Sequence, residues 1–309
     1  MITSYNNRFV REVIQLNQKA KARNKQGLFV AEGIKMFAEA PLRRIEKVYI
    51  SQRMEKELYG QYGERLNKLS CEIVADDVFD KMSDTKTPQG ILCLIKQFQY
   101  NMEEMLNGRR CTNAAGVSIV MNMQPGNTPS QPEDIRLGRK KPDDHAGTGK
   151  THNNKKQMLF ILLENLQDPG NLGTIFRTGE GAGVDGIIMS GQTADIYNPK
   201  TIRSTMGSVY RVPFLYTDDI CGAIHTLQAH GVNVYAAHLK ADKYYDEYDY
   251  RGSSAFLIGN EGNGLSEEAA GCADAYLKIP MKGSVESLNA AVASSILLYE
   301  VYRQQRVKS

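Results

Sequence analysis

The sequence predicts an α/β protein: a C-terminal parallel-sheet domain preceded by a smaller α/β domain. Three observations carry this. Short apolar runs alternate with helical patterns along most of the chain, the signature of an α/β sandwich. From residue 158 the order strand–helix repeats, and its apolar runs are nearly continuous, as in parallel strands buried on both faces. Between the two regions the pattern stops. Residues 101–157 set Pro125, Pro129, Pro132 and Pro142 among Gly, Asn, Ser and Thr, with a charge cluster at Arg139, Lys140 and Lys141. That is the composition of a linker, and it divides the chain into 1–100, 101–157 and 158–309.

In the first region, Arg8 to Lys25 reads as one helical stretch containing Phe9, Val13, Ile14 and Leu16. Leu28 to Gly33 is strand-like and runs into a helix from Ile34 to Ala40. Lys47 to Ser51 is a strand, Asp76 to Met82 a short helix, and Gly90 to Phe98 another strand. Within the linker, Val117 to Met121 is an apolar patch that could form a strand or dock on a neighbour.

The second region opens with MLFILLEN, a buried strand, then a DPGNLG turn and a helix from Thr174 to Gly181. Gly186 to Ser190 is a strand, Asp218 to His230 a helix, and Asn233 to Leu239 and Ser254 to Gly259 are strands. The last stretch opens on a strand from Ala275 to Ile279 that ends at Pro280. A loop with Gly283 and Ser284 follows, then a helix starting near Ser287, a good N-cap type. Leu288, Ala291, Val292, Ser295, Leu298 and Tyr299 recur at helical spacing as its apolar face. Ala290, Ala291, Ala293, Ser294 and Ser295 are small, so another element can approach closely. Ligands on a parallel sheet sit beyond the carboxyl ends of its strands, and the loops after these strands share that edge.

Composition narrows the function classes. The 309 residues carry a net charge of only +3, which makes no global polycation. Residues 1–50, however, hold ten Lys/Arg against four Asp/Glu, with Arg8, Arg11, Lys19, Lys21, Arg23 and Lys25 close together. A local basic face suits RNA, and a solvated helix face equally. Five cysteines without a C-x-x-C pair, and five histidines without ligand spacing, argue for reduced thiols and against a metal site. No apolar run approaches membrane-spanning length, and no signal peptide opens the chain, so a soluble, cytoplasmic protein is expected.

Three segments hold the chemistry. NLQDPGNLGTIFRT runs from Asn165 to Thr178, IGNEGNGLS from Ile258 to Ser266, and IPMKGSVESLNAAVA from Ile279 to Ala293. The glycines of the second are spaced G-x-x-G-x-G, not as a dinucleotide fingerprint, so NAD is rejected. Glu261, a carboxylate in a glycine loop at a strand end, is poised for a ligand or an arginine. Arg177 sits in the apolar-rich turn Ile175-Phe176-Arg177-Thr178 and there calls for an acidic partner or an anionic ligand. Glu261 is the candidate partner, and a purely structural Arg–Glu pair is the competing reading.

In this order, the three segments resemble the signature motifs of the SpoU/TrmH (SPOUT) family of RNA ribose 2′-O-methyltransferases. KARNKQGLFVAEG and DTKTPQGILCLI resemble the L30e-like substrate-binding domain that precedes many SpoU-type catalytic domains. The resemblance implies a trefoil knot in the C-terminal domain and a homodimer packed through the last helix. It implies that Gly259, Ile279, Met281 and Leu288, with the Ala237, His238 and Leu239 loop, cradle S-adenosylmethionine. It assigns Arg177 to catalysis, with Asn171, Glu261, Ser287 and Asn289 around the substrate ribose and phosphate. Arg203 joins Arg8, Arg11, Lys21 and Arg23 as an RNA-binding candidate. The added L30e-like domain favours ribosomal over transfer RNA. Two rivals stay open at this point: a non-catalytic RNA-binding protein, and a methyltransferase acting on a base or a protein.

Overall fold

The computed structural model describes residues 1–107, 110–112, 118–120 and 157–306. The N-terminal unit contains α1 (Arg8–Gln18), α2 (Ala20–Gln26), β1 (Leu28–Glu32), α3 (Ile34–Glu39), β2 (Ile45–Ser51), α4 (Glu55–Leu66), β3 (Cys71–Val74), α5 (Asp76–Met82) and β4 (Ile91–Lys96). Its sheet runs β1-β4-β2-β3, antiparallel except for the parallel pair β2 and β3. The single helix expected over residues 8–25 is two. Lys19 is extended at φ −126°, ψ 112°, which breaks the ladder, and α2 then ends on left-handed Gly27. The sequence pattern passed over α4 and β3. In α4, only Leu58 and Leu66 are buried, too sparse a stripe to read as a helix.

Residues 102–106 are not linker-like. They form α6 (Met102–Leu106), closed by a capping box in which Asn101 accepts from the Glu104 N–H. Met105 is buried with Phe160, Leu162 and Ile188 of the C-terminal unit. β5 (Arg110–Thr112) pairs antiparallel with β6 (Ser118–Val120), which falls inside the apolar patch noted above. The remainder of the expected linker, residues 108–109, 113–117 and 121–156, lies outside the described residues.

The C-terminal unit contains β7 (Leu159–Leu163), α7 (Pro169–Ala182), β8 (Gly186–Ser190), α8 (Pro199–Thr205), β9 (Phe214–Thr217), α9 (Ile220–Ala229), β10 (Asn233–Ala237), β11 (Ser254–Ile258), α10 (Glu267–Gly271), β12 (Ala275–Leu277) and α11 (Ala290–Arg306). Its sheet runs β12-β10-β11-β7-β8-β9, and every pairing is parallel. The unbroken apolar run of β7 has a plain cause. Leu159, Ile161 and Leu163 point into one core, while Phe160 and Leu162 point into the core on the other face. In β11, Phe256 and Ile258 divide from Ala255 and Leu257 in the same way.

The first of these cores crosses between the units, taking in Phe29, Ile50 and Ile91 as well as Ile161, Phe176 and Phe214. One further expectation is corrected. Cys221, in the first turn of α9, and Cys272, just beyond α10, form a disulfide, so not all thiols are free. Their 51-residue separation hid the pairing, which parallel β-α-β packing brings about. No described helix is long and apolar enough to cross a membrane.

Candidate active site

Because all six strands run parallel, the loops after β7, β10, β11 and β12 emerge at one edge of the sheet. The loop after β7 leads into α7, and here the expected turn is already helix. Asp168 is the N-cap, accepting from the Asn171 N–H at 2.8 Å, and Pro169 occupies the first helical position. Asp168 also accepts from Lys200 Nζ at 2.9 Å. Its carboxyl is held below the ordinary range, first by Lys200 and then by the Asn171 amide.

Asn171 joins the three motif segments. Its Nδ2 donates to Glu261 at 2.9 Å, and its Oδ1 accepts from Asn289 Nδ2 at 2.9 Å. Glu261 accepts in addition from the backbone N–H groups of Gln167 and Asp168, at 3.1 and 3.2 Å. Burial pushes this carboxyl up, but the donors of Asn171, Gln167 and Asp168 outweigh it, and the net shift is down. Glu261 therefore stands as a carboxylate that ties the β11 loop to the start of α7.

The expected Arg177–Glu261 pair is not formed. Both residues lie on or beside α7, but six residues along a helix turn through about 240° and rise about 9 Å. Arg177 accordingly falls on a different side from Asn171 and is exposed to solvent. The sequence pattern misled because Ile175 and Phe176 are buried while the next residue in a helix points elsewhere.

The last helix is also corrected. It begins at Ala290, not near Ser287, and its cap is Asn289, whose Oδ1 accepts from the N–H groups of Ala291 and Val292 at 2.9 and 3.3 Å. Ser287 is an exposed loop residue. The buried face is Ala290, Ala291, Ser294, Leu297, Leu298 and Val301, whereas Val292 and Tyr299 are each 48% exposed. Ser295 Oγ meets Thr178 Oγ1 at 3.2 Å, which seats the small-residue face on α7.

The expected cofactor residues line the neighbouring loops. Ala237 ends β10, Ile279, Met281 and Leu288 lie in the stretch between β12 and α11, and all four are half-buried. Leu239, at 71% exposed, turns to solvent. The His238 N–H donates to Leu277 O at 2.9 Å, and its ring stacks on Tyr276. At Gly259 a Cβ would meet the backbone of Gly264 and Leu265 in its own loop, so closing that loop by itself requires a glycine. Half-buried apolar side chains beside exposed loop backbone suit a ligand with one apolar and one polar side.

Several supporting residues escaped the sequence reading. Glu164, only 7% exposed, accepts from the Ser266 N–H at 2.8 Å and from Ser266 Oγ at 2.6 Å, anchoring α10. Asn165 takes the left-handed conformation at φ 55° and accepts through its backbone from Asn260 Nδ2 at 2.8 Å. The Asp-Pro pair at 168–169 was a legible helix-start signal. Among the described residues no group of His, Cys, Asp or Glu is arranged to hold a metal ion.

Two expected RNA contacts are also corrected. Arg23 is 3% exposed, and its Nε and Nη2 donate to Asp195 at 3.0 and 2.6 Å. Arg203 is half-buried and pairs with Asp84 at 2.6 Å. Both are committed to contacts between the units. Arg8, Arg11 and Lys21 remain on the surface, Arg8 over the Phe9 ring and Arg11 donating to Asn6 O at 2.7 Å.

Residues 158–299, which contain all three motif segments, match the SpoU rRNA Methylase family. The C-terminal unit is thus similar to SpoU methylases. Residues 7–93 match the MRM3-like substrate binding domain. The chain is 39% identical over 141 residues to the 23S rRNA (guanosine(2553)-2′-O)-methyltransferase RlmP of Bacillus subtilis, covering 46% of this chain and 56% of that one. It is 37% identical over 147 residues to a putative TrmH family tRNA/rRNA methyltransferase of Staphylococcus haemolyticus, covering 47% and 58%. The match thus spans little more than half the length of these relatives. Over essentially the whole chain it resembles the AdoMet-bound rRNA methyltransferase of Sinorhizobium meliloti, at TM-score 0.72 and 27% identity, covering 100% and 98%. The SpoU methyltransferase AviRb of Streptomyces viridochromogenes, at TM-score 0.75 and 21% identity, shares the fold. The C-terminal unit here places Asn171, Glu261 and Asn289 in one hydrogen-bonded set and leaves Arg177 apart from it.

Proposed function

We propose that this chain transfers a methyl group from S-adenosylmethionine to a ribose 2′-hydroxyl of RNA, with ribosomal RNA as substrate. The observation that carries this reading is the Asn171–Glu261–Asn289 set, which locks three motif segments together at the sheet edge where the loops carrying Ala237, Ile279, Met281 and Leu288 also begin. The nucleobase side of the cofactor suits those apolar side chains, and its polar portion suits the loop backbone at 237–239, 259 and 279–281. Bound there, S-adenosylmethionine supplies an already activated methyl on sulfonium.

The protein's share of the work is alignment. Asn171, Ser287 and Asn289 offer polar groups to the ribose and its phosphate. The planar fork of Arg177 can hold phosphate and the developing oxyanion together. With the cofactor bound, the aligned hydroxyl oxygen would take the methyl carbon, S-adenosylhomocysteine would leave as the thioether, and the hydroxyl proton would pass to water late in the step. Arg8, Arg11 and Lys21 supply non-specific attraction for RNA.

The protein acts as a cytoplasmic homodimer in this reading. Val292, Tyr299 and Tyr302 form an exposed apolar stripe on α11, which suits a second copy. The C-terminal stretch is read as threaded into a trefoil knot, as in the family, and the chain is divided at 1–100, 101–157 and 158–309. Incubation with labelled S-adenosylmethionine and either ribosomal or transfer RNA, followed by nucleoside mass spectrometry, tests the reaction. A 2′-O-methyl nucleoside in ribosomal RNA supports it. Label on a base, label in transfer RNA alone, or no calorimetric binding of the cofactor overturns it.

A further inference from the structure

Two α/β units joined in one chain ordinarily share a modest, polar interface and move relative to each other. Here the interface is built otherwise. Arg23 is buried at the end of α2, where Nη1 donates to Leu16 O at 2.6 Å and Asn17 O at 3.2 Å. Its remaining edge meets Asp195 of the C-terminal unit. Asp195 is itself fixed, since its other oxygen accepts from the Tyr197 N–H at 2.8 Å and its carbonyl accepts from Thr201 Oγ1 at 3.0 Å.

Tyr197 reaches back across the interface. Its hydroxyl accepts from the Phe98 N–H at 2.7 Å and donates to Phe98 O at 3.0 Å, and its ring stacks on Phe29 at 4.8 Å. Arg203–Asp84 and Arg211–Glu39 add exposed pairs, and Tyr210 Oη donates to Met36 O at 3.1 Å. The opposite side of α8 faces the candidate active site. Lys200 pairs with Asp168, the cap of the helix that carries Asn171 and Arg177. Gly173 of α7 lies against Thr201 and Ser204 with no room for a Cβ. α8 is therefore wedged between the RNA-facing unit and the helix of the reaction.

We propose that the Arg23–Asp195 pair, in which Arg23 is buried and Asp195 half-buried, and Tyr197 hold the N-terminal unit at one fixed offset from Asn171, Glu261 and Asn289, so that RNA gripped by that unit presents one ribose to the site. Arg23, Asp195 and Tyr197 are positioning residues, and substrate choice is set partly by distance. This rests on the methyltransferase reading above. Parting the units would leave the buried Arg23 guanidinium without the Asp195 oxygen that accepts from both its Nε and Nη2, which explains why the offset is kept rather than sampled.

The test compares the full chain with Asp195→Asn and with Tyr197→Phe. The offset is read first by amide hydrogen exchange over residues 95–98 and 195–210, which Asp195→Asn is expected to speed at least about tenfold. Cofactor affinity by calorimetry stays unchanged. The KM for a long ribosomal RNA fragment rises about tenfold while kcat at saturating RNA is kept, as expected when only a fraction of molecules is competent to bind. Methylation spreads to neighbouring riboses, and Asp195→Glu restores selectivity in part. If exchange is unchanged, or if one ribose is still modified with an unchanged KM, the proposal fails. A fall in kcat together with weaker cofactor binding also overturns it, because the pair would then be supporting only the C-terminal unit. If the wild-type protein methylates no RNA, the functional reading fails instead. The offset is then judged by exchange and by RNA affinity, where Asp195→Asn must weaken a long fragment more than a short oligonucleotide.

Discussion

Arg177 stands on the exposed side of an otherwise packed helix, so its charge needs no partner to be held there. That independence separates the proposed role in the reaction from any role in folding. Arg177→Lys keeps the charge and loses the fork, and loss of one transition-state donor costs on the order of 10²–10³ in rate. Single-turnover assays at saturating RNA and cofactor should show at least about a hundredfold loss with cofactor binding intact. Near wild-type rates would remove Arg177 from the chemistry. Glu261 behaves differently, because its charge is structural. Its folded-state pKa is lowered, so its contribution is present above the ordinary glutamate range and is lost as pH falls through the lower, folded value. The amide resonances of Gln167 and Asp168 should report this loss in acid, and Glu261→Gln should show the acid-like spectrum at neutral pH. Resonances that do not respond would mean that the carboxylate does not hold this loop.

At the scale of elements, helix starts decide where the site residues lie. α7 begins at Asp168 and Pro169 rather than at Thr174, and α11 begins behind Asn289 rather than Ser287. Both starts place an Asn side chain at the strand edge, and the two side chains meet at 2.9 Å. Asn289→Ala should cost about 1 kcal/mol through the lost cap, lowering the melting temperature by about 2–4 °C for a chain of this size. Ser287→Ala should leave stability within about 0.5 kcal/mol while slowing methylation. Equal melting shifts for the two variants would return the cap to Ser287. Gly259 belongs to the same scale, since Gly259→Val must distort its own loop before it can touch any ligand.

At the scale of the whole molecule, the basic N-terminal segment divides into two groups. Arg8, Arg11 and Lys21 face solvent, whereas Arg23 is spent on Asp195. Changing the three exposed residues to Gln should reduce the slope of log affinity against log salt by roughly 2 to 3. Filter binding across a salt series measures this, and an unchanged slope would move the RNA to another face.

Much was legible in residues 158–309. Their unbroken apolar runs could only be parallel strands covered on both faces, and such a sheet puts every following loop at one edge. The motif segments with Asn171, Glu261 and Asn289 were therefore placed on one edge from sequence, because strand direction is a local property repeated down the chain. Partners across distance were not legible. Arg23 and Asp195 are 172 residues apart, and a basic residue in a charged helix looks the same from sequence whether it faces water or a carboxylate. Arg177 was expected to need an acidic partner or an anionic ligand because its turn is apolar-rich, though helical rotation carries it outward. The sequence by itself determined the sheet, its ligand edge and the residue types gathered there. Only the tertiary structure decided which charges pair, because pairing depends on how two units dock, and no periodicity along one chain records that.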